Sequence, residues 1–468
     1  MSITILGANS ASGEYEISNS IIMGLSSGYM ERTQGTPTNA KKATISCWIR
    51  RACNFGANQT LISWNSGGGS QTYIRFANSS GNIQLFNDTA GETDTSIIST
   101  QVVRDPAAWY HFVLQWDSAQ STASNRVKMY LNGEQITNFG TENYPPQNTD
   151  FGLNVNGNAL DLGTWNNGSE LFESYLAEFH FVDGTISAHT DFGKFDDNNT
   201  WIPKQYGGAH GNNGFFLKFD QTGTSANASG MGADSSGNGN HFSITDLPST
   251  AIVTESPNLT WAYLSQIAAS DNQGSTGNIE SGGLRLPTGN TCNGLTHDNI
   301  MLDGGQWYFE VYLATSSSFN STIGFRNNDN GDDDPSVEVE NDRQVKKDGS
   351  NVGSSGGNFA NGGVVGVKLD WSNTSSRKIE FLYDNGAMSN AGEQTFRDTG
   401  TNSGFRGHFR ESGSGSIQLY NFGQNPGFFG NLSAGGNADA NGYGNFQYSV
   451  PSGYYSINSK NLAEYGGI

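Results

Sequence analysis

Two acidic stretches and three loop aromatics are the places where this chain could do chemistry. In VEVEND, residues 337–342, an extended backbone would set Glu338, Glu340 and Asp342 on one face. Neighbours two residues apart would then lie about 6–7 Å from each other. Retaining glycosidases use two carboxyl groups about 5 Å apart, so a polysaccharide-cleaving pair is one reading. A solvated acidic edge strand is the plainer one, because no Trp flanks the segment to hold a sugar ring. Just upstream, NNDNGDDDP (327–335) gathers Asp329, Asp332, Asp333 and Asp334. Calcium takes six to eight oxygen ligands, which Asp and Asn supply, but the order is not that of an EF-hand loop. A solvated turn is the default there, and calcium is the one cofactor to consider. DFGKFDDNN (191–199) is a weaker case of the same kind. Sugar rings would need loop aromatics beside Asn, Asp or Gln. Trp165 in LGTWNNGSE (162–170), and Trp201 and Tyr206 in NNTWIPKQYGG (198–208), meet that description. For each, packing at the end of a sandwich is the competing expectation.

Nothing else in the chain has the spacing of a catalytic centre. The seven histidines, His111, His180, His189, His210, His241, His297 and His408, show no metal-ligand spacing. There is no nucleophile elbow, phosphate-binding loop or dinucleotide fingerprint. No catalytic residue is assigned, and a non-enzymatic protein is expected.

The elements that must position such residues are strands. In WYHFVLQWD (109–117), Phe112, Leu114 and Trp116 alternate with His111, Val113 and Gln115. RVKMYLNGEQIT (126–137) aligns Val127, Met129 and Leu131 and then turns at Asn132-Gly133. LAEFHFVDG (176–184) and FFLKFD (215–220) read as further strands. The second half repeats the style in QWYFEVYL (306–313), VVGVKLDW (364–371) and RKIEFLYDNG (377–386), the last turning at Asn385-Gly386. SIQLYNFGQNPGFF (416–429) starts as a strand and is stopped by Gly423, Pro426 and Gly427; Phe422 and Phe428 are expected to be packed. The fold class is therefore all-β: two antiparallel β-sandwich, jelly-roll-like domains. The boundaries read as an N-terminal segment 1–16, a first sandwich 17–220, a Gly/Ser/Asn-rich linker 221–260 and a second sandwich 261–468.

Composition agrees. Hydrophobic residues make up only 34%, but 12% of the chain is aromatic, enough large apolar surface to build cores between many turns. The net charge of −20, with no basic cluster, argues against nucleic acid and anionic membranes as partners. No apolar run is long enough to span a bilayer, and no secretory signal is read at the start. Three cysteines (Cys47, Cys53, Cys292) do not describe a disulfide framework and fit reduced thiols made in a cytosol.

The first half resembles the laminin-G-like, concanavalin A-like family through ATISCWIRR (43–51), WYHF (109–112), VKMYLNG (127–133) and AEFHF (177–181). The second half resembles the SPRY family, also an antiparallel sandwich. The carriers are QWYFEV (306–311), GVKLD (366–370), IEFLYDNG (379–386), NFGQ (421–424), PSGY (451–454) and INSKNL (457–462). It departs from that pattern in a long Gly/Asn insertion between Pro426 and Pro451, where an extra loop and any nearby site are expected. The pair, joined through DSSGNGNHF (234–242), resembles virion proteins of tailed phages. The resemblance implies a structural appendage or fibre protein in the virion, made in the host cytoplasm. It would assemble with other virion proteins, form a homo-oligomer, and bind a host-surface glycan or receptor. The alternatives are a glycoside hydrolase or depolymerase, and a head-decoration or cement protein that binds no glycan.

Overall fold

The computed structural model describes residues 15–466 apart from 52–56, 67–68, 78–79, 89–93, 265–278, 288–289, 293–303, 315–320, 328–335, 355, 374–375, 389–391, 396–404 and 412–415. The described chain is nearly all antiparallel strand, and it divides into two compact units. One comprises Gly7–Asn258 and the other holds Leu259–Ile468.

The first unit is a jelly-roll sandwich of two eight-stranded sheets. At the centre of one sheet, Lys42–Arg50 pairs with Tyr110–Asp117 and with Tyr175–Asp183. The other sheet runs in order through Phe139–Asn143, Thr95–Val102, Asn82–Asp88, Gln71–Phe76, Gln59–Asn65, Ala159–Leu162, Tyr29–Thr33 and Ser243–Thr245. Alternation sends Ile45, Cys47, Phe112, Leu114 and Trp116 from the first sheet, and Ile62, Ile74, Leu85 and Leu160 from the second, into a fully buried core. Trp116 stacks on Phe151 at 4.7 Å there. Cys47 is free and buried, and desolvation pushes its thiol pKa up.

Period-2 alternation predicts one wet face for Tyr110–Asp117, yet His111 and Val113 are as buried as Phe112 and Leu114. The reason is a covering layer, residues 185–214, folded over the outer side of that sheet. Gln115 Nε2 donates to the Ser187 carbonyl at 2.7 Å, and the Trp201 indole donates to His111 Nδ1 at 3.0 Å.

The stretch read as a linker, 221–260, is not one. Ser243–Thr245 is an edge strand on Tyr29–Thr33, and Ile252–Val253 pairs with Ser20–Ile22. Glu255 is fully buried and meets Arg50, itself 1% exposed, at 2.7 Å, while the Trp109 indole donates to the same carboxylate at 2.8 Å. Upstream, the Asp234 carboxylate accepts from the backbone N–H groups of Phe216, Ser236 and Asn240 at 2.8–2.9 Å. The Gly- and Asn-rich composition reflects tight turns, with Gly237 and Gly239 at positive φ, and not freedom of the chain.

The second unit is a sandwich of an eight-stranded and a six-stranded sheet. Gln306–Ala314 lies between Val364–Asp370 and Ile417–Asn421 in the first; Ser321–Asn327, Ser336–Glu340 and Phe405–Glu411 are neighbours in the second. Phe309 meets Phe325 and Phe409 across the sheets at 6.5 and 6.4 Å. The hairpin after Lys378–Tyr383 turns one residue earlier than expected. Asp384 and Asn385 take the two positive-φ positions, and Gly386 already pairs with Tyr383.

Phe422 and Phe428 are fully buried, as their pattern indicates, against Phe309 and Tyr312. The Gly/Asn insertion after Pro426 is pinned rather than displayed. Glu310 accepts from the amides of Gln447 and Tyr448 at 2.8 and 2.9 Å, and Asp439 from Ser456 N at 2.9 Å and Asn461 Nδ2 at 2.8 Å.

Candidate functional site

Of the three aromatics expected in a glycan site, the structure buries one and leaves Tyr206 and Trp165 half-buried. Trp201 is only 4% exposed. It lies between His111 and His189, both 5.9 Å away, and its ring sits where a side chain on Gly133 or Gly193 would have to go. Tyr206 stacks on Phe192 at 4.5 Å and exchanges a hydrogen bond with Ser187 Oγ at 2.9 Å. Both hold the covering layer to the sheet, which sequence alternation alone does not reveal.

Trp165 is half-buried at the base of a short turn, 165–169, that follows Ala159–Leu162. Asn166, Asn167 and Gly168 all adopt positive φ, which Asn and Gly tolerate best. The Thr164 hydroxyl ties the turn at both ends, donating to the Ser169 carbonyl at 2.8 Å and accepting from Gly168 N at 2.9 Å. The Trp165 indole packs edge-on against Tyr73 at 5.2 Å, and Tyr73 stacks on Phe86 at 5.3 Å.

Register explains why these rings meet. Residues directly opposite on neighbouring strands share a face. The pairs Glu31–Asp161, Asp161–Ser63, Ser63–Tyr73, Tyr73–Phe86, Phe86–Ser96 and Ser96–Asn143 form one continuous row across the outer side of the second sheet. Beside Tyr73, the Arg75 guanidinium stands 4.4 Å from the ring centre. Its Nη1 reaches both Glu170 oxygens at 3.0 and 3.1 Å, and its Nε donates to Gln84 Oε1 at 2.8 Å. Glu170 also accepts from Asn58 Nδ2 at 2.9 Å and Thr60 Oγ1 at 3.1 Å. Asp161 is 6% exposed, and burial, with Glu31 opposite, pushes its carboxyl up to about 6 despite a bond from the Asn167 amide. The surface thus offers half-buried ring faces, amide oxygens and nitrogens, and a compensated guanidinium, the groups that grip sugar rings and hydroxyls.

Tyr73, Arg75, Gln84, Phe86, Glu31, Asp161 and Glu170 belong to no sequence motif. The signal that could reveal them is in QTYIRF (71–76) and NIQLFND (82–88), where Tyr73 and Phe86 occupy the polar parity of alternating strands.

The other candidates fare differently. Glu338 and Glu340 lie on one face of Ser336–Glu340, but Lys346 stands on the next strand, opposite Glu338 and 2.7 Å from Glu340. Asp329, Asp332, Asp333 and Asp334 lie outside the described residues. In DFGKFDDNN, the Asp196 carboxylate closes its own turn, accepting from Asn198 N at 2.9 Å and Thr200 N at 2.7 Å. No group of three or more His, Cys, Asp or Glu suited to a metal occurs among the described residues, nor a helix long and apolar enough to cross a membrane.

Residues 26–190 match the Laminin_G_3 family model, described as the concanavalin A-like lectin/glucanases superfamily. Among solved structures, the chain is similar to a heptameric SAP-like pentraxin from Limulus polyphemus, with 16% identity over 38% of this chain and 81% of that one (TM-score 0.28). It is also similar to domains LG4-5 of the mouse laminin alpha1 chain, with 10% identity over 98% and 91% (TM-score 0.30). A third similarity is to the full-length tailspike protein 2 of an Escherichia coli O157:H7 bacteriophage, with 15% identity over 40% and 28% (TM-score 0.26). At such identities and TM-scores no residue role is carried over. No curated protein sequence matches the chain.

Proposed function

We propose that this is a non-catalytic glycan-binding protein of a tailed-phage virion, using the outer face built by Trp165, Tyr73 and Phe86. The observation that carries the binding reading is that row of half-buried rings, set beside Arg75, Gln84 and Asn58 on an otherwise polar sheet face. The concanavalin A-like lectin match over residues 26–190 supports it. The virion assignment rests on the two-sandwich resemblance in the sequence, and a homo-oligomer would multiply a weak site by avidity. The test is a glycan array probed with the full chain and with Trp165→Ala. Retention that the substitution abolishes supports the reading; retention on no glycan leaves a cement protein. Labelling the protein on particles and imaging them would place it on head or tail, and its absence from particles would overturn the virion part.

A hydrolase is the second reading, and one observation favours it: Asp161, with its raised pKa, stands directly opposite Glu31 on paired strands. Release of reducing ends from polysaccharide, lost in Glu31→Gln, would establish it; no release from any polysaccharide bound on the array would remove it.

A further inference from the structure

The row of rings also carries information about which sugars it can accept. On the outward parity of the strands Tyr29–Thr33, Ala159–Leu162, Gln71–Phe76 and Asn82–Asp88, the acidic side chains are Glu31, Asp161 and Asp88, and the single cation is Arg75. That cation is already paired. Its Nη1 contacts both Glu170 oxygens at 3.0 and 3.1 Å, its Nε donates to Gln84 at 2.8 Å, and Tyr73 covers its face at 4.4 Å. Glu170 is in turn held by Asn58 and Thr60, and its own positive φ fixes where its side chain starts. A guanidinium is the group that recognises a sugar carboxylate or sulfate, and here an internal carboxylate already neutralises its charge.

We infer that the Trp165 face selects uncharged sugars and rejects acidic ones, with Glu170 as the residue that sets this specificity. The inference rests on the glycan-binding reading above. An anionic glycan approaching the rings would meet the negative charges of Glu31 and Asp88 and would have to compete with Glu170 for Arg75. A neutral sugar needs only ring faces and hydroxyl partners, which Trp165, Tyr73, Phe86 and Gln84 provide.

The experiment uses the full chain and two sets of short oligosaccharides at physiological salt, one neutral and one of uronic acids, so that the protein's overall charge is screened. Wild type, Trp165→Ala, Glu170→Gln and the double variant Glu170→Gln/Arg75→Met are compared by calorimetric titration, with circular dichroism confirming that each folds. Neutral oligosaccharides should bind the wild type and lose binding in Trp165→Ala, while the acidic set should not bind. Glu170→Gln should gain affinity for the acidic set by about tenfold or more, the worth of one charge-assisted hydrogen bond, and the double variant should lose that gain. If the wild type binds the acidic set as well as the neutral one, the specificity inference is overturned while glycan binding stands. It is overturned in the same way if Glu170→Gln folds but gains nothing. If neither set binds the wild type, both fall.

Discussion

Replacing Glu255 by Ala should destabilise the first unit severely, although the residue lies in a stretch whose composition resembles a linker. The Arg50 and Glu255 side chains are 1% and 0% exposed and 2.7 Å apart. Removing one partner of such a pair leaves a buried charge uncompensated, at a cost of about 3–5 kcal/mol. The Trp109 indole also loses its acceptor at 2.8 Å, a buried donor worth about 1–3 kcal/mol. The two losses share one site and do not simply add; about 4 kcal/mol is expected. For a unit of this size that lowers the melting temperature by roughly 8–16 °C. Hydrogen–deuterium exchange on the full chain separates the two units: protection should fall across Lys42–Arg50, Tyr110–Asp117 and Ile252–Val253, and not across Gln306–Ala314. A double variant with Met at 50 and Leu at 255 should recover most of the loss, because apolar replacements of a buried pair are often neutral. The reasoning fails if Glu255→Ala costs under about 1 kcal/mol, or if residues 243–258 exchange freely in the unaltered protein.

Other outcomes follow from the same geometry. Trp201→Ala should cost about 3–5 kcal/mol in chemical denaturation, as a buried indole does, whereas Trp165→Ala should cost about 1 kcal/mol and act on binding. Gly133→Ala should cost about 2–3 kcal/mol, because φ is +81° and the added carbon would sit 2.3 Å from the Trp201 ring. The units should respond to acid in opposite senses. Burial depresses His111 to about 3 and His210 to about 4 from an ordinary 6.5, so unfolded chains bind protons that the folded first unit refuses. Its stability should fall as pH drops below 6.5, by up to ~1.4 kcal/mol per pH unit from His111 and less from His210. His189, also depressed by burial, acts in the same sense, while Asp161, raised to about 6, and Asp88, also raised, oppose it. In the second unit, burial raises Glu310 from 4.5 to about 7, so the folded state holds a proton the unfolded state releases, and stability should rise as pH falls from 7 toward 4.5. Exchange protection measured at pH 7 and 5.5, corrected for intrinsic rates, checks both signs.

The strands were legible wherever alternation was strong, because side chains on a pleated backbone point to opposite faces every second residue. Thus Phe112, Leu114 and Trp116, and Trp307, Phe309 and Val311, go to the cores as their pattern indicates. The Asn132-Gly133 turn was equally legible, since both residues accept positive φ. Local pattern could not show what lies on the far side of a sheet. His111 and Val113 are buried because residues 185–214 return over them, and that layer also buries Trp201 and stacks Tyr206 on Phe192. Nor could composition tell an ordered Gly/Asn turn from a flexible one: Glu255 and Asp234 make 221–258 part of the fold through contacts distant in sequence. The candidate site illustrates the same division. Sequence supplied Trp165; Tyr73 and Phe86 belong to no motif and emerge only once Gln71–Phe76 and Asn82–Asp88 are seen as paired strands. Only strand register, a property of how distant segments pair, set Glu31, Asp161, Tyr73 and Phe86 in one row and brought Glu170 onto Arg75.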